Sequence, residues 1–243
     1  MIALRSLIFN ILFYTNLILF LLLGFWYFFL PRKWAVRALQ TWARSSIWLL
    51  RMICNIKMEV RGAEFIPQGQ ALVAGKHQSL WETFAIVPLL DDPCFVLKKE
   101  LTYIPFFGWF CLKFKMIAVD RKAGTQALRD LTARAKEEVV RPRQIIIMPE
   151  GTRQAPGDPP DYKPGAAAVY SKLGVPCVPF GLNAGVFWPR RKFIRYPGTI
   201  IIEFCAAIPP GLPRKDFQAR LQEAIETTTN RLVAEAREPK VQN

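Results

Sequence analysis

The chain has 243 residues, of which 51% are hydrophobic, and 33 Lys and Arg residues against 19 Asp and Glu residues give it a formal net charge of +14. This length fits one domain with an appendage, and the positive charge favours an anionic partner, either nucleic acid or an anionic membrane. The five cysteines are widely spaced, and the single histidine cannot complete a Cys/His zinc site. We therefore expect reduced, buried cysteines and no metal.

The first segment of the chain is long and apolar. Residues 6–31 carry no charge and are mostly Leu, Ile and Phe. About 20 apolar residues in a helix span the hydrocarbon core of a bilayer, and this run is too long for a signal peptide. We favour insertion into the membrane to some depth. Because Asn10 and Asn16 interrupt the run, an interfacial helix that does not span remains open.

The second segment, residues 34–58, combines tryptophans with three arginines. Arg37, Arg44 and Arg51 recur every seven residues and so share one stripe of a helix. Trp and Arg side by side are typical of an amphipathic helix at a membrane surface, although a helix packed on the domain with a solvated basic face also fits. Arg32 and Lys33 follow the apolar run and place the rest of the chain in the cytoplasm. A membrane is therefore favoured over nucleic acid, for which the sequence has no binding motif.

From Met58 onward, short apolar strands alternate with helices. Such alternation predicts an α/β fold, with a mostly parallel central sheet flanked by helices and preceded by a membrane-associated helical pair. We accordingly divide the chain into membrane-anchoring helices at 1–57 and an α/β domain at 58–243, and expect the polar tail 237–243 to fray. Strands are predicted at 58–61, 71–75, 95–98, 116–120, 144–148, 175–181 and 199–205, and helices at 80–90, 125–140, 164–173 and 213–236.

The only histidine, His77, lies between the predicted strand 71–75 and the predicted helix 80–90. Glu82 follows in the first turn of that helix, where its carboxylate can bond one imidazole nitrogen and leave the other to accept a proton. Ser79-Leu80-Trp81-Glu82 also fits a capping box, in which Glu82 only bonds the N-cap amide. The spacing supports both interpretations equally. Ser79 does not fit a nucleophile, because the sequence has no Gly-x-Ser-x-Gly elbow and no second histidine.

Three other segments combine strand ends with charged, aromatic or proline residues. Lys98 and Lys99 end a predicted strand and suit an anionic group as point charges, although a solvated lysine pair fits as well. The aromatic run 104–110 fits a core, a membrane contact or the wall of an acyl-chain groove. The proline-flanked strand 175–181 predicts structural support, at an edge of the sheet.

A further segment, Glu150-Gly151-Thr152-Arg153, follows the buried strand 144–148. Ligands of open α/β sheets lie beyond the carboxyl ends of strands. Arg153 can bind a phosphate bidentately there, and Gly151 lets the backbone approach closely. An ordinary turn fits the same four residues.

The order and spacing of these segments resemble the glycerolipid acyltransferase family, and within it the bacterial 1-acylglycerol-3-phosphate acyltransferases. The resemblance covers about residues 60–205, and the basic N-terminus is similar to the membrane-anchoring helices of that family. One residue departs from the pattern, since Glu82 stands where the family usually has Asp in an His-x4-Asp motif. The matching segments are His77-x4-Glu82, Lys98-Lys99-Glu100-Leu101 with Pro105-Phe106-Phe107-Gly108, Glu150-Gly151-Thr152-Arg153, and Val178-Pro179.

The resemblance implies an acyl transfer that needs no cofactor or metal. His77 would deprotonate a glycerol hydroxyl, which attacks the thioester of acyl-carrier protein or acyl-CoA, while Glu82 orients the imidazole. Arg153, aided by one of the two lysines, would hold the phosphate of the acceptor. The implied substrate-binding residues are Lys98, Lys99, Glu150, Gly151, Thr152 and Arg153.

The resemblance also implies the partners and the cellular location. These are lysophosphatidic acid, membrane lipid and the acyl donor, with no nucleic acid, at the cytoplasmic face of the inner membrane, and the product is phosphatidic acid for phospholipid biosynthesis. Two alternatives stay open. One is an acyltransferase for another acceptor, such as lyso-ornithine lipid or glycerol-3-phosphate. The other is a catalytically inactive, membrane-bound lipid-binding protein, suggested by Glu82 in place of Asp.

Overall fold

A computed structural model describes residues 1–238 of the chain. All seven predicted strands form within these residues, with ends shifted by at most two residues. They are β1 Ile56–Arg61, β2 Ala71–Gly75, β3 Pro93–Lys98, β4 Ile117–Val119, β5 Gln144–Ile147, β6 Cys177–Leu182 and β7 Gly198–Phe204. They make one sheet in the order β1-β7-β6-β2-β5-β3-β4.

Helices precede the sheet and connect its strands. The helix predicted at 213–236 is confirmed, and it ends at Arg237. Residues 239–243 of the tail that we expect to fray lie outside the described residues. The α-helices of the described chain are α1 Ile2–Leu23, α2 Arg32–Cys54, α3 Glu82–Ala85, α4 Phe107–Lys113, α5 Gly124–Val139, α6 Gly165–Leu173, α7 Ala184–Phe187 and α8 Arg214–Arg237.

The expected α/β architecture with a mostly parallel sheet is confirmed. Strands β6, β2, β5, β3 and β4 run parallel to one another, whereas β7 is antiparallel to β6, and β1 pairs parallel with β7. Five adjacent strands therefore end at one edge of the sheet, where α/β proteins place their ligands. The edge position expected for strand 175–181 is wrong, because β6 has a neighbour on each side. Pro179 still accepts a hydrogen bond there from the Cys205 amide at 2.9 Å.

The sheet is covered on both faces, because successive strand residues point to opposite sides. Val73 and Ile146 pack into a core with α1 and α2, whereas Leu72 and Ile145 pack into a second core with α5, α6 and α8. The cysteines are free thiols, as expected. Four of them are buried and one is half-buried: Cys54, Cys94, Cys111, Cys177 and Cys205 in that order.

Two predictions about helices need correction. The helix expected at 80–90 is only α3 followed by a 3-10 turn, Val87–Leu89. Pro88 explains the break, because it has no N–H to donate to the Phe84 carbonyl and its ring would clash with that carbonyl in a continued α-helix. Helix α4, which begins in the aromatic run and ends at Lys113, was not predicted, because that run lacks a polar face from which a helical period could be recognised.

The two N-terminal helices pack on the α/β domain. Phe9 and Phe13 of α1 are buried in the same core as the sheet, and Asn16 donates to Ser45 of α2 at 2.9 Å. The outer side of α1 exposes Leu and Ile side chains, and Ile2–Phe28 is long and apolar enough to cross a membrane. The predicted arginine stripe of α2 is exposed, opposite a face that is buried in the core.

Candidate active site

The predicted site residues gather at the edge of the sheet where the five parallel strands end. His77 follows β2, and the 150–153 loop follows β5, which is the neighbour of β2. Lys98 is the last residue of β3, and Arg121 comes two residues after β4. The topology therefore brings together segments that are up to about 75 residues apart in sequence.

His77 is paired with Glu82 through one carboxylate oxygen. Oε1 of Glu82 lies 2.8 Å from His77 Nδ1, and the same oxygen accepts the backbone N–H groups of Gln78 and Ser79, each at 2.7 Å. Glu82 is fully buried, whereas the His77 side chain is 15% exposed. An acceptor at Nδ1 places the proton of a neutral imidazole there and leaves the lone pair of Nε2 to receive another proton.

The capping box forms in only one direction. Glu82 bonds the Ser79 amide as expected, but Ser79 Oγ accepts from the Trp81 amide at 3.3 Å instead of from the Glu82 amide. The two interpretations of Glu82 are therefore both realised in the geometry. The carboxylate holds the turn before α3 and contacts the imidazole at the same time.

A buried ion-pair network lies directly beside His77. Lys76 Nζ donates to Glu150 Oε1 at 2.7 Å and to both carboxylate oxygens of Glu226 at 2.8 and 3.0 Å. Tyr162 donates its hydroxyl to Glu226 at 2.9 Å. Lys76 and Glu150 are almost completely buried, while Glu226 is 16% exposed. The network joins β2, the loop after β5 and α8 around one cation.

Burial raises the pKa of two members of this network. Desolvation raises the pKa of the Glu150 carboxyl above its ordinary value, and the bond from Lys76 only partly opposes this effect. Desolvation and the nearby Glu226 carboxylate also raise the pKa of the Tyr162 phenol. Tyr162 therefore stays protonated and acts as a donor at neutral pH.

The 150–153 loop turns sharply at Gly151. Its φ of +64° is in the left-handed region that glycine adopts without strain. A Cβ at this position would lie 3.4 Å from the guanidinium of Arg121, so that cation packs against the turn. Thr152 and Arg153 follow and are half-buried. Within residues 1–238 the Arg153 guanidinium makes no ion pair, which leaves its charge available to an anion.

The two lysines after β3 differ in their surroundings. Lys99 Nζ lies 3.3 Å from Asp120 in an exposed ion pair. Lys98 is exposed and forms no ion pair with another described residue. Of the two lysines, Lys98 is therefore the more available to an anionic ligand.

In the aromatic run that follows the lysines, no side chain fits at Gly108, because a Cβ there would lie 1.9 Å from the carbonyl oxygen of Thr102.

Sequence reasoning missed Arg121, Lys76, Glu226 and Tyr162. Arg121 could have been found, since a cation just beyond a strand end is the same pattern that makes Lys98 a candidate. The sequence signal for Lys76 is weaker, because it is only a charge next to a wholly apolar strand. The sequence has no signal for Glu226 and Tyr162, because Glu226 contacts a residue 150 positions away.

A comparison with protein families agrees with this geometry. The acyltransferase family model matches residues 57–183, just over half of the chain. The chain belongs to the acyltransferase family. The resemblance inferred from the motifs is thereby confirmed. The family match ends before α8. Glu226, which lies on α8 and belongs to the Lys76 network, is therefore outside the matched segment.

Two relatives and one solved structure extend the family assignment. The 1-acyl-sn-glycerol-3-phosphate acyltransferase of Pseudomonas aeruginosa is 40% identical over 161 residues, which are 66% of this chain and 63% of that protein. The 1-acyl-sn-glycerol-3-phosphate acyltransferase alpha of Mus musculus is 28% identical over 177 residues, 70% of this chain and 61% of that protein. This chain thus aligns with less than two thirds of the length of either relative.

The solved structure is that of PlsC, the 1-acyl-sn-glycerophosphate acyltransferase from Thermotoga maritima. It matches with a TM-score of 0.77 at 22% identity, over 98% of this chain and 100% of that one. At this identity the match shows a shared fold. It includes the N-terminal helices, since nearly the whole chain is covered.

Proposed function

We propose that this protein transfers a fatty acyl group from acyl-carrier protein or acyl-CoA to the free hydroxyl of 1-acyl-sn-glycerol-3-phosphate, giving phosphatidic acid. The observation that carries the proposal is the 2.8 Å contact between His77 Nδ1 and Glu82, at the same sheet edge as the 150–153 loop, whose Arg153 forms no ion pair within the described chain. The relatives named above, which carry this activity in their names, support the choice of acceptor.

The reaction follows from the tautomer of His77. Nε2 takes the proton of the acceptor hydroxyl as the oxygen attacks the thioester carbonyl. The C–S bond then breaks as the new ester forms, and the imidazolium returns the proton to the departing thiolate. Glu82 stabilises the imidazolium between these steps. The acceptor supplies the nucleophile, so the enzyme needs neither a covalent intermediate nor a cofactor.

The phosphate of the acceptor is assigned to the cations around the 150–153 loop. Arg153 supplies a guanidinium that can bond two phosphate oxygens, and Arg121 lies against the same turn. Lys98 adds a point charge from the neighbouring strand. The buried Glu150 carboxylate bonds Lys76, so we assign it to supporting the loop and not to binding the phosphate.

The N-terminal helices are assigned to the membrane surface, at the cytoplasmic face. Helix α1 contacts the α/β domain along its length, from Ser6, whose hydroxyl accepts the Arg195 amide, to Phe20, whose ring lies against Phe110. A helix that spans a bilayer would separate from a water-soluble domain over most of that length. These contacts support an interfacial α1, which lies in the plane of the membrane with its outer apolar side chains in lipid.

The geometry of Glu82 also bears on the two alternative functions, an inactive lipid-binding protein and an acyltransferase for another acceptor. Glu82 reaches the imidazole at normal hydrogen-bond distance despite its extra methylene, which supports an active enzyme over an inactive lipid-binding protein. An acceptor other than 1-acylglycerol-3-phosphate, such as lyso-ornithine lipid or glycerol-3-phosphate, is tested by the same assay.

The experiment is an acyl-transfer assay with purified protein, acyl-CoA or acyl-carrier protein as donor, and a panel of acceptors. Wild type is expected to acylate 1-acylglycerol-3-phosphate in preference to the other acceptors. Replacement of the base in His77→Ala should lower kcat about 10²–10⁴-fold. Native-like melting of the variant provides the control for folding. A variant that makes phosphatidic acid at the wild-type rate would show that the mechanism is wrong.

A further inference from the structure

A basic and aromatic loop, residues 188–197, connects α7 to β7 and has no part in the proposed chemistry. It follows β6, which runs parallel to β2, so it begins at the sheet edge that carries His77. The chain has no acidic residue from 162 to 202, and within the loop it places four cations among aromatic residues. They are Arg190, Arg191, Lys192 and Arg195, with Trp188, Phe193 and Tyr196.

Arg195 fixes this loop against α1. Its backbone N–H donates to Ser6 Oγ at 2.9 Å, and its guanidinium donates to Asn10 Oδ1 at 3.1 Å. The guanidinium also lies 4.3 Å from the ring centroid of Trp188, which packs edge-on against Phe9 of α1. Ser6 and Asn10 of α1 therefore face this loop. As a result, the loop lies beside the helix assigned to the membrane surface.

The same arginine fixes the conformation of the loop tip. Arg195 Nη1 donates to the carbonyls of Lys192 and Phe193 at 2.6 and 2.8 Å, which closes the loop around a buried cation. Arg191 and Lys192 remain exposed, and the side chains of Phe193 and Tyr196 are 49% and 46% exposed. Two exposed cations followed by two exposed aromatic residues suit the headgroup region of an anionic bilayer.

The base of the loop contacts the active-site segment. Arg190 donates to the backbone carbonyl of Arg153 at 2.5 Å, and the amide of Gln154 donates to the His77 carbonyl at 2.8 Å. Loop 188–197 is thus bonded to the 150–153 loop, which is proposed to hold the acceptor phosphate. A lyso-lipid that leaves the bilayer beside α1 would meet these cations first.

We propose that loop 188–197 is a third membrane-binding element, which docks on an anionic bilayer together with α1 and α2. The inference rests on the membrane association in the proposed function, but not on the acyl transfer itself. An acidic carrier protein would also be attracted by Arg191 and Lys192. The exposed Phe193 and Tyr196, and the hydrogen bonds that hold the loop against α1, favour the bilayer.

The test measures partitioning of the purified protein onto two kinds of vesicle, pure phosphatidylcholine and phosphatidylcholine with about one third phosphatidylglycerol. One variant removes the tip charges, Arg191→Gln with Lys192→Gln. A second removes the aromatic residues, Phe193→Ser with Tyr196→Ser. The matched control, Arg129→Gln with Arg134→Gln, removes two exposed charges from α5.

We expect the first variant to bind anionic vesicles about tenfold more weakly than wild type, with little change on neutral vesicles, and the control to change much less. The second variant should bind both kinds of vesicle more weakly.

Vesicle partitioning of the first variant equal to wild type, or a loss no larger than that of the control, would overturn the proposal. So would unchanged vesicle binding with a loss of transfer only from acyl-carrier protein, since that result identifies a carrier-docking surface. Failure of the wild type to acylate 1-acylglycerol-3-phosphate would contradict the proposed function and leave the vesicle result intact.

Discussion

Oε1 of Glu82 lies 2.8 Å from His77 Nδ1, and the same oxygen accepts the backbone N–H groups of Gln78 and Ser79. The two amides fix the carboxylate before any substrate arrives, and the carboxylate fixes the imidazole. Orientation of the base is therefore a property of the folded turn. A residue that serves the turn and the base at once links local stability to catalysis, and this link can be measured.

Two substitutions of Glu82 should separate its roles. Glu82→Gln keeps an oxygen for the amides but removes the charge that stabilises the imidazolium. A charge-assisted hydrogen bond is worth about 1.5–3 kcal/mol, so kcat should fall about ten- to hundredfold with little loss of stability. Glu82→Ala leaves two buried amides without an acceptor and should also lower the free energy of unfolding by about 1–3 kcal/mol. Kinetics and urea denaturation of both variants provide the measurement. Equal stability losses in the two variants would mean that the amides need the charge and not just an acceptor.

Arg153→Ala should impair the recognition of phosphate. Loss of a charge-assisted contact predicts a kcat/KM about ten- to hundredfold lower for 1-acylglycerol-3-phosphate, mainly through a higher KM. With 1-acylglycerol, which has no phosphate, variant and wild type should be equally slow. The exposed Arg129→Ala serves as the control for lost charge. If Arg153→Ala and wild type have the same kcat/KM for the phosphate-bearing acceptor, the assignment of Arg153 is wrong.

The Lys76 network predicts non-additive stabilities. Lys76→Met leaves the Glu150 and Glu226 carboxylates close together without their cation, which should cost about 3–5 kcal/mol of unfolding free energy. Adding Glu226→Gln removes one of the two charges, so the double variant should be more stable than Lys76→Met alone. Tryptophan fluorescence during denaturation measures all four proteins of this cycle. Additive losses would show that the charges act independently.

The fold was predictable because its strands are short apolar runs with clear ends. The order of these strands in the sheet could not be predicted, because nothing in the sequence of β6 indicates that it lies between β7 and β2. The break of the helix at 80–90 could have been predicted from Pro88, whose missing N–H and steric demand act locally. Helix α4 gave no such signal, because almost every residue of its segment is aromatic or apolar.

The site was predictable only where its residues are neighbours in sequence. His77 and Glu82 are five residues apart, so a contact with His77 and a bond to the Ser79 amide were equal expectations for Glu82. One carboxylate oxygen makes both contacts. Sequence spacing cannot predict this double role, because it does not say how many donors reach one acceptor. The pairing of Lys76 with Glu226 depends on how α8 packs on the sheet, which is tertiary information.

Glu150 should make the stability of the protein depend on pH in an unusual direction. Its pKa is raised by desolvation, so between the ordinary carboxyl pKa and the raised one the folded state binds more protons than the unfolded state. The contribution of Glu150 is therefore complete below the ordinary pKa and is lost as pH rises through the raised value. Compared with Glu150→Gln, wild type should lose stability from about pH 4 upward.

Urea denaturation of wild type and Glu150→Gln across this pH range measures the difference in unfolding free energy. Glu137→Gln, at an exposed position on α5, is the matched control, and its difference from wild type should vary less with pH. A difference between wild type and Glu150→Gln that grows in favour of wild type as pH rises would mean that attraction by Lys76 outweighs burial. In that case Lys76 and Glu150 would act as a stabilising ion pair, and the cost of Lys76→Met would come mainly from the loss of that pair.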